Sequence, residues 1–549
     1  MKKTSYVLPK KIVIASGEVQ NEQSLLRQKT LQIGLNESDV AIVDGKCRLV
    51  FDFGEELCGG VRILMYYAND IEPVRIRFGE SLTEALAPLG EKNATNDHSA
   101  RDFSATIPQL SDGRFGQTGF RFVCLDFSGG TYRIKSVIAE SESEVHEIKG
   151  SFECSDSRVN DIYSVARKTL LLCLQNDMIW DGIKRDRLVW IGDLHPETLG
   201  LLYTTGDIKN IENCLDFSVN GTLPTEWMNG LTSYSFWWMI ILYDYYRFTG
   251  KKEIIEKYAD YLYKLVENTE KLIGEDGSTS FPNDFLDWPT NYMKDAPEGV
   301  AALCKIACER AVELLNIAGK DSSKAARAAA ELSKRKQPEL SFKQAEAMRY
   351  LAFKYDGEKV GKALTTGGAK GMSTFMSYYI LTAVTQTMGA KNALNMMKEY
   401  YGGMLDKGAT AFWEDFDVDW IEGSGRIDEI PAAGKKDIHG DYGRYCYTGF
   451  RHSLCHGWSC GPIEFLVENI LGVNVLETGF KKISVSPDLC GMEYAKGDIP
   501  TPYGTIKISH TATENGIKTQ IVCPEEIEVI ATNCDCDIKR VKFEKITIR

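Results

Sequence analysis

Two short segments of this 549-residue chain crowd together the residue types that perform acid–base chemistry. The first is Trp180-Asp181-Gly182-Ile183-Lys184-Arg185-Asp186-Arg187-Leu188-Val189-Trp190-Ile191-Gly192-Asp193, followed by Leu194-His195-Pro196-Glu197. Acids, bases, two tryptophans and two glycines so closely mixed do not form a clean amphipathic helix, and a solvated helix face seldom needs Trp or Gly. An ion-paired loop between helices is the plainer reading. The second is Ala409-Thr410-Ala411-Phe412-Trp413-Glu414-Asp415-Phe416-Asp417-Val418-Asp419-Trp420, which an acidic surface loop would also explain. A carboxylate beside aromatics is partly desolvated and its pKa rises, whereas one held near Arg stays ionised. That split supplies an acid and a base at one pH. Glycoside hydrolysis needs such a pair on opposite sides of the scissile bond, one protonating the leaving oxygen and the other activating water.

A third cluster contributes histidine. Of seven His residues, His439, His452 and His456 lie close in sequence, the last inside Ser453-Leu454-Cys455-His456-Gly457-Trp458-Ser459-Cys460-Gly461-Pro462. A His beside Trp and small residues can bond a sugar hydroxyl, or it can be a satisfied core histidine. The spacing lacks HExxH, so no metal is expected. All nine tryptophans (Trp180, Trp190, Trp227, Trp237, Trp238, Trp288, Trp413, Trp420, Trp458) fall between residues 180 and 458. Their flat apolar faces and polar edges suit the C–H faces of a sugar ring. Large helical cores also use large residues, and Trp237 and Trp238 fit that reading best. Thr366-Gly367-Gly368-Ala369-Lys370-Gly371-Met372-Ser373 lacks the ending of a phosphate loop and reads as a helix entry.

These segments need a scaffold, and the periodicity supplies one. Up to about residue 150 the pattern has period two, as in Val74–Phe78 and Phe120–Phe127, which predicts an antiparallel β-sandwich. At Ser155-Asp156-Ser157 a cap-forming cluster precedes Val159, Ile162, Tyr163 and Ala166 at helical spacing. Helical segments follow, among them 232–249, 253–274, 298–318, 321–336, 372–388 and 461–471. Some are apolar nearly all round and others carry one small apolar face, as the inner and outer helices of a closed α/α barrel would. Strands return after about residue 478, with a hairpin at Thr505–Val522 whose Asn515-Gly516 suits a type I′ turn. The predicted domains are a β-sandwich over 1–150, a helical barrel over 151–478 and a smaller β-domain over 479–549.

Composition narrows the function. The formal net charge is -13, and a protein that wraps nucleic acid or rests on anionic lipid needs a basic stripe instead. The most apolar stretch, Tyr234–Phe248, carries Asp244 and Arg247 and is shorter than the roughly 20 residues that span a bilayer. Fifteen cysteines, odd in number and irregularly spaced, read as reduced thiols of a cytoplasmic protein. The polar run Glu91–Ser99 reads as an exposed loop, or as a flap over the barrel mouth.

The motifs resemble the α-L-rhamnosidase family, glycoside hydrolase family 78. Its order of Asp, Arg, acid, Trp and Gly-Asp is matched by Asp181, Arg185, Asp186, Trp190, Gly192 and Asp193; its later Trp-Glu by Trp413-Glu414; and its S-x-C-H-x-W-S by Ser453–Ser459. The resemblance implies a central (α/α)6 barrel between an N-terminal antiparallel β-sandwich and a smaller C-terminal one, and an inverting hydrolase without a catalytic metal or other cofactor. Asp186 is then the general acid and Glu414 the general base. Asp181, Arg185, Trp190, Asp193, Trp288 and His456 become sugar contacts, with Asp287, Trp413 and Trp458 placed beside them. Two departures stand out: Gly182-Ile183 replaces the usual Cys-Pro, and Asp186 replaces the usual Glu, reaching about 1.5 Å less far. The expected partner is a small glycoside ending in α-L-rhamnose or a related deoxysugar, with no nucleic acid or membrane and a homo-oligomer possible. The rivals are a uronide-acting hydrolase or lyase, for which Lys184 or Arg187 would supply the extra cation, and a non-catalytic carbohydrate-binding protein.

Overall fold

In the computed structural model, which describes residues 2–291 and 293–542, the chain begins with strands and changes to helices where the periodicity changes. The N-terminal strands are β1 (Lys2–Val7), β2 (Lys11–Gln20), β3 (Ala41–Asn69), β4 (Val74–Gly79), β5 (Asp102–Ala105), β6 (Ser111–Phe127) and β7 (Thr131–Glu144), with a short α1 (Leu82–Leu86) after β4. They form one seven-stranded sheet in the order β1-β7-β3-β6-β4-β5, with β2 also on β3. Every pairing is antiparallel. The long β3 bends at register shifts near Asp52–Leu57 and Gly59–Val61, so Tyr132 of β7 pairs with Val43 near one end of β3 and with Ala68 near the other. The curled sheet encloses a core of Phe51, Phe53, Phe78 and Phe120.

Strand β8 (Ser151–Cys154) precedes α2 (Ser157–Leu172). Asp156 caps α2 as its sequence neighbourhood predicts, accepting from the N–H groups of Arg158 and Val159 at 3.0 and 3.4 Å. A two-residue hairpin, β9 (Leu174–Gln175) and β10 (Met178–Ile179), leads to the irregular segment 180–193. Then come α3 (Leu194–Thr204), α4 (Lys209–Gly221), α5 (Thr232–Thr249), α6 (Lys252–Glu270), α7 (Ala296–Ile317), α8 (Ser323–Leu332), α9 (Lys343–Phe353), α10 (Gly357–Thr365), α11 (Ser377–Met388), α12 (Ala390–Asp406) and α13 (Pro462–Phe465). Helices α3, α5, α7, α9, α11 and α13 each touch the next, and α13 touches α3, closing a ring of alternate helices. Ring membership explains the apolar sequences: every residue of α3 is buried, as is most of α5. Outside the ring, α8 buries only Ala325, Ala328, Ala329 and Leu332 against its neighbours.

The C-terminal strands β11 (Val473–Glu477), β12 (Lys482–Val485), β13 (Tyr494–Thr501), β14 (Gly504–Thr513), β15 (Gly516–Pro524), β16 (Glu528–Ala531) and β17 (Asp535–Val541) make two sheets, β11-β12-β16 and β17-β15-β14-β13-β8. Residues 151–154, expected at the start of the helical region, therefore pair with β13 instead. The β14–β15 hairpin exists, but Thr513 pairs with Gly516, so the loop is Glu514-Asn515 rather than Asn515-Gly516. Gly516 takes φ 122°, a backbone value that glycine adopts readily. The helix expected at 461–471 is α13 continued by one wider turn, Leu466–Ile470. Segment 366–373 leads into α11, and its Ala369 N–H donates to the Glu399 carboxylate at 2.8 Å, an acid where a phosphate loop would need an anion. All fifteen cysteines are free thiols. Among the described residues no helix is long and apolar enough to cross a membrane.

Candidate active site

The backbone of 180–193 is irregular because it is laced to the loop carrying His456. Gly182 bridges to His456, and the Gly457 N–H donates to the Asp181 carbonyl at 2.6 Å. A Cβ at Gly457 would fall 1.9 Å from a Glu197 carboxylate oxygen, so the close approach requires glycine there. Asp181 Oδ1 accepts from the Leu188 N–H at 2.8 Å, and Asp193 stands at the start of α3 with its Oδ1 accepting from the Tyr234 hydroxyl at 3.2 Å. At the turn of the segment, Asp186 and Arg187 both adopt left-handed backbone, φ 56° and 59°, a strained conformation for side chains of this size.

These elements surround a cavity of about 800 Å³. Asp181, Arg185, Asp186, Trp190, Asp193, Trp288, Glu414, His456 and Trp458 all line it. Arg185 is the hub: Nη1 donates to Asp186 Oδ1 at 2.7 Å, Nη2 donates to Glu414 Oε1, Nε donates to the Arg451 carbonyl at 3.2 Å, and the guanidinium lies over the Tyr447 ring. Glu414 Oε2 accepts from the Ser453 N–H at 3.1 Å. His456 Nε2 sits 3.4 Å from Glu414, 3.6 Å from Asp181 and 3.9 Å from Asp193.

Charge separates these carboxyls. Burial alone would push Glu414 up, but Arg185 and His456 outweigh it and hold Glu414 well below the usual carboxylate range. For Asp181, burial prevails over His456 and the carboxyl rises. Asp193 rises well above its ordinary value through burial, despite His456 and with the charge of Asp181 adding to the effect. Burial works against charge on His456, yet Glu414, Asp181 and Asp193 raise it well above an ordinary histidine. The floor thus sets a carboxylate held low, Glu414, beside two carboxyls whose pKa burial raises, Asp181 and Asp193, with His456 between them. Such a set can donate to and accept from several hydroxyls at once.

Two expected contacts, Trp413 and Asp287, are not among the residues that line the cavity. Trp413 is 1% exposed and packs edge-on against Phe416, so its indole belongs to the core and not to the cavity. Asp287 is buried and turned away, accepting from the Trp288 N–H at 2.7 Å and from the Ser373 hydroxyl. Trp458 reaches the cavity at one side only: Phe375 stacks on it at 5.1 Å, and its Nε1 donates to the Glu414 carbonyl at 3.0 Å, so it also positions that residue. His439 and His452 are buried and tied to each other through Nε2 of His439 and the His452 carbonyl at 2.9 Å. Lys184, a candidate cation for an acidic substrate, is buried 2.9 Å from Glu80 and 3.1 Å from Glu84. It also occupies the place between two carboxylates that, with His439, stand within metal-ligand reach of one another. Arg187 lies over Trp180 and bonds Gln117.

The cavity also holds residues that the motifs do not mark. Tyr234 and Tyr447 come from an apolar helix and a loop, and Asp284, Phe285, Met293 and Pro297 build an outer wall. His98 comes from the polar segment after α1, which is exposed over most of its length, as an exposed loop would be, and brings this one side chain to the cavity. Ser99 Oγ donates to the Lys184 carbonyl at 2.7 Å, and Asp97 pairs with Arg451 at 3.5 Å.

Residues 147–335 match the model of the bacterial alpha-L-rhamnosidase 6 hairpin glycosidase domain, and residues 472–532 match that of the bacterial alpha-L-rhamnosidase C-terminal domain. A stretch of 78 residues, 14% of this chain and 8% of the relative, is 40% identical to an alpha-L-rhamnosidase of Alteromonas sp. (strain LOR). Among solved structures, the family 78 rhamnosidase of Bacillus sp. GL1 superposes with a TM-score of 0.74 at 21% identity, over 95% of this chain and 57% of that one. The alpha-L-rhamnosidase of Dictyoglomus thermophilum gives 0.70 at 17%, over 96% and 58%. A rhamnosidase from Klebsiella oxytoca with rhamnose bound gives 0.66 at 18%, over 85% and 96%. The likeness to these structures is one of fold, and the chain spans little more than half the length of the first two.

Proposed function

We propose that this chain, which carries the six-hairpin glycosidase and C-terminal domains of the bacterial α-L-rhamnosidases, is an inverting glycoside hydrolase that removes a terminal α-L-rhamnose, or a related deoxysugar, from small glycosides or oligosaccharides. In this reading the ring of alternate helices is the inner layer of an (α/α)6 barrel and the flanking sheets are sandwiches. Asp186 protonates the glycosidic oxygen while Glu414 draws a proton from a water on the opposite face of the sugar. Asp181, Asp193 and His456 hold the ring hydroxyls, and Trp190 and Trp288, both half-buried on the wall, offer it their faces.

The observation that carries the reading is the shared guanidinium: Arg185 binds Asp186 with one Nη and Glu414 with the other. Both carboxyls border the same cavity, as a glycosidase pair must, and an inverting pair keeps room for a water between them. Arg185 and His456 also keep Glu414 ionised, as a base must be before it accepts a proton. The two cations named for a uronide, Lys184 and Arg187, are engaged elsewhere and do not line the cavity.

The test is Glu414→Gln assayed on an aryl α-L-rhamnoside. The expected result is a fall in kcat of about 10²–10⁴-fold, the usual worth of a general base. Near-normal turnover by the variant would remove Glu414 from the base role.

A further inference from the structure

Asp186 has a second partner besides Arg185: His98 Nε2 lies 3.5 Å from Asp186 Oδ1, and both side chains line the cavity. The two residues arrive from different domains, His98 from the loop between α1 and β5 and Asp186 from the segment before α3. That loop is built, not draped. Asn96 Oδ1 accepts from the Arg101 and Asp102 N–H groups at 3.0 and 3.1 Å, while its Nδ2 donates to the Asp102 carbonyl at 3.0 Å. The residues on either side of His98 are each tied to the helical domain, Asp97 to Arg451 and Ser99 to the Lys184 carbonyl. His98 itself takes φ 67°, facing Asp186 at φ 56°. Left-handed backbone at two non-glycine residues that meet across a cavity is strain held by its surroundings, and such strain gathers at working sites.

We propose that His98 hands Asp186 the proton that Asp186 delivers to the leaving oxygen, so that the acid of the reaction is a pair drawn from two domains. This rests on the hydrolase reading above. Imidazolium Nε2–H transfers its proton to Asp186, and the carboxylic acid so formed protonates the glycosidic oxygen as the C–O bond breaks with its electron pair left on that oxygen. The water attacking the anomeric carbon loses a proton to Glu414, which returns it to solvent. Neutral His98 recovers a proton from solvent, to which 35% of its side chain is open, against 18% for Asp186. The transfer requires the 3.5 Å separation to shorten on substrate binding, as catalytic contacts commonly do.

The experiment uses His98→Asn, since Asn tolerates left-handed backbone, on two substrates. One is a 2,4-dinitrophenyl α-L-rhamnoside, whose leaving group departs without a proton, and the other is a methyl or sugar-linked α-L-rhamnoside, which needs one. The expected outcome is a loss of kcat/KM of about 10²-fold on the second substrate with little change on the first. L-rhamnose binding measured by calorimetry should be unchanged. Equal losses on both substrates, or no loss on either, overturns the inference. His98→Gln is read in the same way, and loss of L-rhamnose binding in both variants would make His98 structural and overturn it as well. A wild-type protein that turns over neither glycoside overturns the hydrolase reading, and this inference with it.

Discussion

Glu414 and Asp287 are both fully buried carboxyls, and their partners send them in opposite directions. Glu414 faces a guanidinium and an imidazolium and stays low, whereas Asp287 has only a hydroxyl and an N–H, so burial lifts it to about 7. In the unfolded chain an Asp titrates near 3.9. Folded Asp287 therefore keeps its proton where the unfolded chain has lost it, and its effect on stability grows more unfavourable as pH rises from about 4 to about 7, then levels off. Integrated over that window the effect is on the order of 4 kcal/mol. Asn keeps an uncharged acceptor oxygen for the Trp288 N–H, and its amide donates to the Ser373 oxygen once that hydroxyl, which donates to Asp287 in the native chain, turns away. Asp287→Asn should thus gain in Tm over wild type, by more at pH 8 than at pH 5; an equal or smaller gain at pH 8 would contradict the assignment. The family resemblance put Asp287 and Trp413 among the expected contacts, through Leu286-Asp287-Trp288 and Trp413-Glu414. Neighbours in an irregular segment point to opposite sides: Trp288 and Glu414 face the cavity while Asp287 and Trp413 face the core. His98 escaped notice for the converse reason, since only the tertiary fold brings a lone histidine in a polar run to Asp186.

Elements were legible wherever burial imposes a period. Helix α5 appears as 232–249 in both sequence and structure, because a ring helix buried on nearly every side reads as an unbroken apolar run closed by Gly250 in left-handed backbone. The amphipathic α6 was found with its end four residues too far on, since Leu272 and Ile273 continue the apolar pattern after the helix has turned into a loop. The loops that make the site were legible only as composition. Their positions depend on contacts such as Gly457 N–H to the Asp181 carbonyl, which join residues far apart in sequence and leave no periodic trace. The hairpin turn shows the same limit on a small scale: Asn515-Gly516 marks the place, but register moves the two-residue loop back by one position.

At the scale of the molecule, the N-terminal sheet and the helical ring meet through buried charge. Lys184, one residue before the hub Arg185, donates to Glu84 of α1 and to the Phe450 and His452 carbonyls, and lies 2.9 Å from Glu80. Close by, Arg121 of β6 bonds both Asp52 and the Gly408 carbonyl. Removing the lysine leaves Glu80 buried without its counter-charge and Glu84 with Arg101 alone, 3.7 Å away, a change that costs about 3–5 kcal/mol. Lys184→Met should therefore unfold at clearly lower denaturant than wild type, and equal stability would show that the junction does not depend on this charge. The same junction holds the loop that brings His98 to the cavity.

The most direct measurement is to follow hydrolysis of an aryl α-L-rhamnoside by proton NMR and identify the anomer at its first appearance. Two carboxylates spanned by Arg185, with Glu414 held ionised to activate water, predict that β-L-rhamnose forms first and then mutarotates. First release of α-L-rhamnose would contradict the acid–base account of Asp186 and Glu414, and absence of any rhamnose from aryl and natural glycosides alike would contradict the hydrolase itself.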